Sequence, residues 1–190
     1  MLIYPKSLAG VTLIELMIAI TIIGILLLAG LPEAFNWMQN TKIRTTAESI
    51  SNGLQLARGE AVRRNTQIEF VLTNNDPIAA AMPGLLSDTS GRNWVVRIYQ
   101  APNPYTAADF IQGEAESSPN VVITSGSPNV VFNGLGRTAL GATTIQVTNP
   151  TGGACIAAGP MRCLNIVVQI GGQIRMCDPS IITVGDTRRC

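Results

Sequence analysis

At 190 residues the chain is long enough for one domain with a sizeable core and short for two. Hydrophobic residues make up 46 % and charged ones only 13 %, a balance that argues against intrinsic disorder. Lys and Arg number 13 against 12 Asp and Glu, so no charge bias points to a partner, and histidine is absent. Its absence removes imidazole bases, Ser–His and Cys–His nucleophile pairs and most catalytic zinc sites.

The first element is an apolar run from Val11 to Leu31 whose only charged member is Glu15. As a helix at about 1.5 Å per residue it spans roughly 30 Å, the thickness of a bilayer's hydrocarbon core. Ten residues precede it, with Lys6 their only charged side chain. An ordinary secretory signal would be cut after the apolar stretch and would carry no acid inside it. A plain membrane anchor gives no reason to keep Glu15 either, since a carboxylate at depth costs about 2.5–3.5 kcal/mol on insertion scales.

Lys6 followed by Gly10-Val11-Thr12-Leu13-Ile14-Glu15-Leu16 resembles the class III signal of type IV pilins and type II secretion pseudopilins. The resemblance implies that a prepilin peptidase cuts between Gly10 and Val11 on the cytoplasmic side and methylates the new N-terminus at Val11. It also implies that Glu15 meets the N-terminal amine of a neighbouring subunit during assembly, a pairing that makes a buried carboxylate tolerable. Gly24 and Pro32 match the helix-weakening residues of many pilins, so a bend or melted turn is expected there. Val11 departs from the family's usual phenylalanine.

Past Pro32 the apolar spacing becomes that of an amphipathic helix. Ile43, Ala47, Ile50, Leu54, Ala57 and Ala61 form one stripe suited to packing on a sheet, with an end expected near Asn65. Arg63 and Arg64 read as a solvated helix end, where cations suit the dipole. The segment Leu54–Asn65 is similar to the helix of the FimT/FimU and pseudopilin-H branch of minor pilins, with Gly59 where that branch often has serine.

Strand-forming runs follow at Gln67–Leu72, Asn93–Gln100, Asn120–Ile123, Asn129–Asn133, Thr143–Thr148, Leu164–Ile170 and Gln173–Cys177. Asn74–Arg92 reads as a loop and Pro102–Asn120 as a polar surface excursion, while Gly171-Gly172 signals a hairpin. Together these predict an α+β fold of type IV pilin-like form: a long N-terminal helix, membrane-spanning in its hydrophobic half, packed on an antiparallel β-sheet head. The expected divisions are a leader at 1–10, a transmembrane or filament-core helix at 11–31, an amphipathic helix at 32–65 and a β-rich head at 66–190.

All four cysteines, Cys155, Cys163, Cys177 and Cys190, fall near the C-terminal end of the sequence, at spacings that match no zinc pattern. In a head outside the cytoplasm they predict two disulfides. Three connectivities are possible; Cys155–Cys163 with Cys177–Cys190 is favoured because it closes one loop and pins the C-terminal tail. No metal or cofactor is expected.

The run Gly171–Pro179 resembles the final hairpin of the FimT/FimU branch, where some members carry a Gly-Arg-x-Arg motif contributing to DNA binding. Gly172 and Arg175 match it, while Gln173 replaces the first arginine. Arg188 and Arg189 would join Arg175 in a basic patch if Cys190 is tethered to Cys177. Catalysis has little support: Glu114 and Glu116, the one close acidic pair, read as solvated, and Gly152-Gly153 and Gly171-Gly172 lack the following helix of a phosphate cradle.

The resemblance therefore implies a non-enzymatic minor pilin at or near the tip of a type IV pilus, helping to initiate assembly. Its partners would be other minor and major pilins, or pseudopilins, and the prepilin peptidase. It would wait in the bacterial inner membrane as a single-pass protein with a periplasmic head, then move into the filament. A DNA-binding minor pilin for natural transformation and a type II secretion minor pseudopilin are the alternatives.

Overall fold

The computed structural model describes residues 10–116, 118–157 and 159–190; the side chains of residues 29–32 lie outside that description. So does Lys6 with the rest of the expected leader before Gly10. The chain divides into two compact units, Met1–Trp37 and Met38–Cys190, and one helix contributes to both. This helix, α1, runs unbroken from Leu13 to Arg64, through Gly24 and Pro32, with no melted turn. It stops where expected. Asn65 adopts a left-handed backbone (φ 49°), which asparagine tolerates better than most residues, and the Thr66 N–H turns back to the Ala61 carbonyl at 3.2 Å.

Most of the described apolar side chains of α1 in the first unit are exposed. Ile14, Ile18 and Ile25 are 63 %, 54 % and 62 % exposed, as are their apolar neighbours to a similar degree. In the second unit the predicted stripe is the core. Ile43, Ala47, Ile50, Leu54, Ala57 and Ala61 are all at most 1 % exposed and join one cluster with the inner faces of the sheets. Gly53 lets the helix approach closely, since a Cβ there would lie 2.9 Å from the rings of Phe70 and Trp94. Those rings stack at 5.8 Å between centroids.

Among its described residues the head carries eight strands: β1 (Ile68–Thr73), β2 (Asn93–Ile98), β3 (Phe110–Glu114), β4 (Val122–Ser125), β5 (Asn129–Phe132), β6 (Thr143–Thr148), β7 (Leu164–Val168) and β8 (Ile174–Cys177). They form two four-stranded antiparallel sheets, ordered β3-β2-β1-β5 and β4-β6-β7-β8, where the sequence suggested a single sheet. The division falls at Gly126-Ser127-Pro128, so that β4 pairs with β6 while β5 pairs with β1. β3 lies inside the stretch expected to be a surface excursion. It gives little strand signal because Gly113 interrupts it, yet the glycine is what fits: a Cβ there would come 2.6 Å from the Pro77 carbonyl oxygen.

All six residues of β1 are buried, so both faces of the first sheet are covered. Ile68, Phe70 and Leu72 face the helix cluster. On the other face Val71, Val95 and Val131 are at most 1 % exposed. The segments on either side of β2 reach that face: Met82 is buried, Thr73 Oγ1 donates to the Leu86 carbonyl at 2.6 Å, and Tyr105 Oη donates to Glu69 at 2.9 Å.

Candidate functional site: the exposed helix and the stapled tail

Thr12 is the cap of α1 and builds a reciprocal box with Glu15. The Glu15 N–H donates to Thr12 Oγ1 at 3.3 Å, and the Thr12 N–H donates to Glu15 Oε2 at 3.5 Å. The carboxylate thereby satisfies a donor that the first turn leaves free, at the positive end of the helix dipole. The Thr-x-x-Glu spacing of Thr12 and Glu15 is the local sequence signal for this box. Gly10 and Val11, the expected cleavage pair, lie in exposed non-helical chain directly ahead of Thr12. The apolar run beyond Glu15 is long enough to cross a membrane.

In the head, both predicted disulfides form with the favoured connectivity: Cys155–Cys163, with Cα atoms 5.5 Å apart, and Cys177–Cys190, at 5.1 Å. The loop closed by the first is fastened to the helix. Asn40 Nδ2 donates to the Pro160 carbonyl at 2.9 Å, and the Arg162 N–H donates to Asn40 Oδ1 at 2.7 Å. Asn149, fully buried, donates through Nδ2 to Gln39 Oε1 at 2.6 Å. Sequence reasoning missed these amides because nothing local marks a partner more than a hundred residues away.

The second disulfide holds the tail against β8. The Asp178 N–H donates to the Arg188 carbonyl at 2.7 Å, and Arg175 Nη1 donates to the Arg189 carbonyl at 3.1 Å. The structure thus brings the three arginines of the expected basic patch together, but it engages two of them. Arg175 is half-buried and holds the tail backbone. Arg188 forks onto Asp186 at 2.8 Å, and its side-chain hydrogen bond, helped by its N–H, holds that carboxyl down at about 2. Arg189 is exposed. Asp186 was overlooked in the sequence, although it stands only two residues before Arg188.

Arg63 and Arg64, expected to be simply solvated, both bond Glu60, at 2.6 Å from Arg63 Nη2 and 2.6 Å from Arg64 Nε. Their hydrogen bonds hold its carboxyl at about 2. Of the acidic pair, Glu114 is exposed as expected, but Glu116 is half-buried. It accepts from Thr46 Oγ1 and from the Ser118 N–H, because β3 brings it back against α1.

Comparison with known proteins agrees with this architecture. The family described as "Type II transport protein GspH" matches residues 46–172, and the "Prokaryotic N-terminal methylation motif" matches residues 6–31. The first match spans about two-thirds of the sequence, and the chain belongs to that GspH family.

Among solved structures, the type IV minor pilin FimU of Pseudomonas aeruginosa is similar at a TM-score of 0.53 and 14 % identity, over 74 % of this chain and 91 % of that one. A second crystal form of the same protein gives 0.52 and 14 %, over 70 % and 90 %. The minor pseudopilin EpsH of the Vibrio cholerae type 2 secretion system gives 0.50 and 11 %, over 74 % and 99 %. No curated protein matches the chain significantly. At such identities the structural likeness speaks for the fold.

Proposed function

We propose that this protein is a structural, non-catalytic subunit incorporated at or near the tip of a type IV pilus, where it helps to initiate assembly. The observation that carries the reading is the change of surroundings along α1. Its first half exposes apolar side chains on every face, while its second half buries one stripe in a closed head. Exposed aliphatic surface of that extent is stable only in lipid or against other apolar helices. The helix is thus suited to wait in the inner membrane, with the head in the periplasm, and to move into a filament core among other minor and major pilins.

In this reading the prepilin peptidase cuts between Gly10 and Val11, freeing and methylating the Val11 amine. The carboxylate of Glu15, which caps its own helix while the leader is attached, then has a cation of the adjoining subunit to pair with. A minor pseudopilin of a type II secretion system is the second reading, supported by the description of the matching family and by the similarity to EpsH. The DNA-binding alternative rests on Arg175, Arg188 and Arg189, and the first two already have partners within the chain.

The test is a gene deletion complemented with the wild-type chain or with Glu15→Leu. Pilus function is scored by surface filaments and twitching, with DNA uptake and exoprotein release measured in parallel. Loss of filaments and twitching in the deletion, unrestored by Glu15→Leu, is expected. Loss of exoprotein release alone overturns the pilus reading in favour of the pseudopilin. Loss of DNA uptake with piliation intact overturns it in favour of the DNA receptor.

A further inference from the structure

Three segments distant in sequence meet at the end of the head where α1 finishes. Arg58 Nε donates to the Gly136 carbonyl at 3.2 Å, and the Thr138 N–H donates to the Ile170 carbonyl at 3.2 Å. Two glycines make the approach possible. A Cβ on Gly172, whose φ is 80°, would run into the Gly136 carbonyl, and one on Gly136, whose φ is 71°, would lie 3.1 Å from Val62 Cγ2. The end of the helix, the loop after β5 and the turn between β7 and β8 therefore make one surface.

Its chemistry differs from that of the chain as a whole. Residues 58–66, 133–140 and 169–173 carry four arginines, Arg58, Arg63, Arg64 and Arg137, against the single acid Glu60, while the whole protein is almost neutral. Among these arginines stand exposed aliphatic side chains: Val62 at 53 %, Leu135 at 79 % and Ile170 at 58 %. Arginine interleaved with apolar side chains is the composition of protein interfaces. The three segments contain no aromatic residue on which a base would stack, so a nucleic acid would find charge there but nothing for its bases.

The geometry points to this basic, apolar end of the head as the docking surface for an acidic, apolar-centred face on another subunit of the same filament. The inference rests on the filament reading given above. The rim arginines would steer the approach and fix its register, while Leu135, Ile170 and Val62 would lose their water on contact. The cost of leaving those side chains exposed is then explained by the state in which they are covered.

The test uses the full-length protein in intact cells, with a photo-crosslinking amino acid at Leu135 and, as a control, at the equally exposed Leu86. The crosslinked variants are combined with Arg63→Glu/Arg64→Glu/Arg137→Glu. Because the first two changes also disturb Glu60, Arg137→Glu with Ile170→Ser serves as a milder second variant. A protein adduct from Leu135, mapping to an Asp- or Glu-rich peptide of a pilin-type subunit, is expected. It should fall by on the order of tenfold in the charge-reversed protein while any adduct from Leu86 is unchanged. Reversing the acids of the mapped peptide to lysine should restore it.

Absence of a protein adduct at Leu135, an adduct insensitive to charge reversal, or adducts to nucleic acid alone overturns the proposal. Recovery of the wild-type chain in sheared filaments is scored separately. A chain that enters filaments without the Leu135 adduct disproves the surface and leaves the filament reading standing. A chain absent from filaments disproves that reading instead, whatever the adducts show.

Discussion

The guanidinium of Arg97 lies 3.5 Å from the centre of the Tyr105 ring and bonds Glu69, its neighbour across the β1–β2 ladder, at 2.8 Å. Tyr105 Oη donates to the same Glu69 oxygen at 2.9 Å. Arg97 and Glu69 are 4 % and 1 % exposed. A buried pair of this kind contributes little beyond a well-packed apolar substitute, but removing one partner strands the other charge. Arg97→Ala should therefore destabilise the head by about 3–5 kcal/mol, read in denaturant melts. Tyr105→Phe should cost about 1.5–3 kcal/mol, the range for hydrogen bonds to charged groups.

Burial first, then the Glu69 carboxylate, pushes the Tyr105 hydroxyl up to about 12. The folded state thus holds the phenolic proton more tightly than the unfolded chain, whose tyrosines titrate near about 10. Stability from this group is complete below about pH 10 and is lost as pH rises towards 12. Tyr105→Phe should remove that part of the alkaline loss.

Gly53 argues a different case. Alanine in place of a helical glycine ordinarily stabilises by about 0.5–1 kcal/mol. Here the added methyl would sit 2.9 Å from two core rings that are themselves packed, and overpacking of that kind costs about 1–3 kcal/mol. Gly53→Ala is expected to lower the melting temperature. Gly59→Ala, on the same helix with nothing within 4 Å of its Cβ position, should raise it.

The difference between these two glycines shows what the sequence disclosed and what it withheld. Periodicity found the buried stripe from Ile43 to Ala61 residue by residue, because a helix on a sheet repeats every three or four positions. Alternation and turn residues located most strands for the same reason. The conformation of Asn65 and the Thr12–Glu15 box are also local, and the latter was legible though overlooked. The clamp of Arg97 on Tyr105 and the amides joining Asn40 to Pro160 and Arg162 were not legible, since their meaning depends on which distant segments the topology brings together. β3 escaped because its pattern answers to one neighbour, Pro77, and not to a repeating face.

Acid should act at two places with the same sign. Glu60 and Asp186 are both held down at about 2 by arginine hydrogen bonds, below the roughly 4 of unfolded chains. Each stabilises the folded state above about pH 4 and loses that contribution as pH falls towards 2. Amide exchange at Arg188, whose N–H donates to Asp186 Oδ1 at 2.9 Å, should quicken relative to intrinsic rates across this interval. Asp186→Asn should abolish the pH dependence at Arg188 while leaving that of the last turn of α1, which answers to Glu60.

The tail is held twice, by the Cys177–Cys190 bond and by the carbonyls that Asp178 and Arg175 engage. Closing a loop of this length removes roughly 3 kcal/mol of freedom from the unfolded chain. Cys177→Ser/Cys190→Ser should therefore lower stability by about that amount if the native tail stays in place, with the cost appearing mainly in the unfolded ensemble. Should the tail also detach, the amides of Asp178 and Arg189 lose protection while the core strands keep theirs, and protease cuts after Arg188 or Arg189. Arg175→Met in the oxidised protein separates the two devices. It removes the donor to the Arg189 carbonyl but not the covalent staple, so it should speed exchange near the tail with a smaller change in midpoint than the double serine variant. Equal shifts in both would mean that the arginine restrains the tail as strongly as the disulfide does, and a larger shift for Arg175→Met would make the arginine the main restraint.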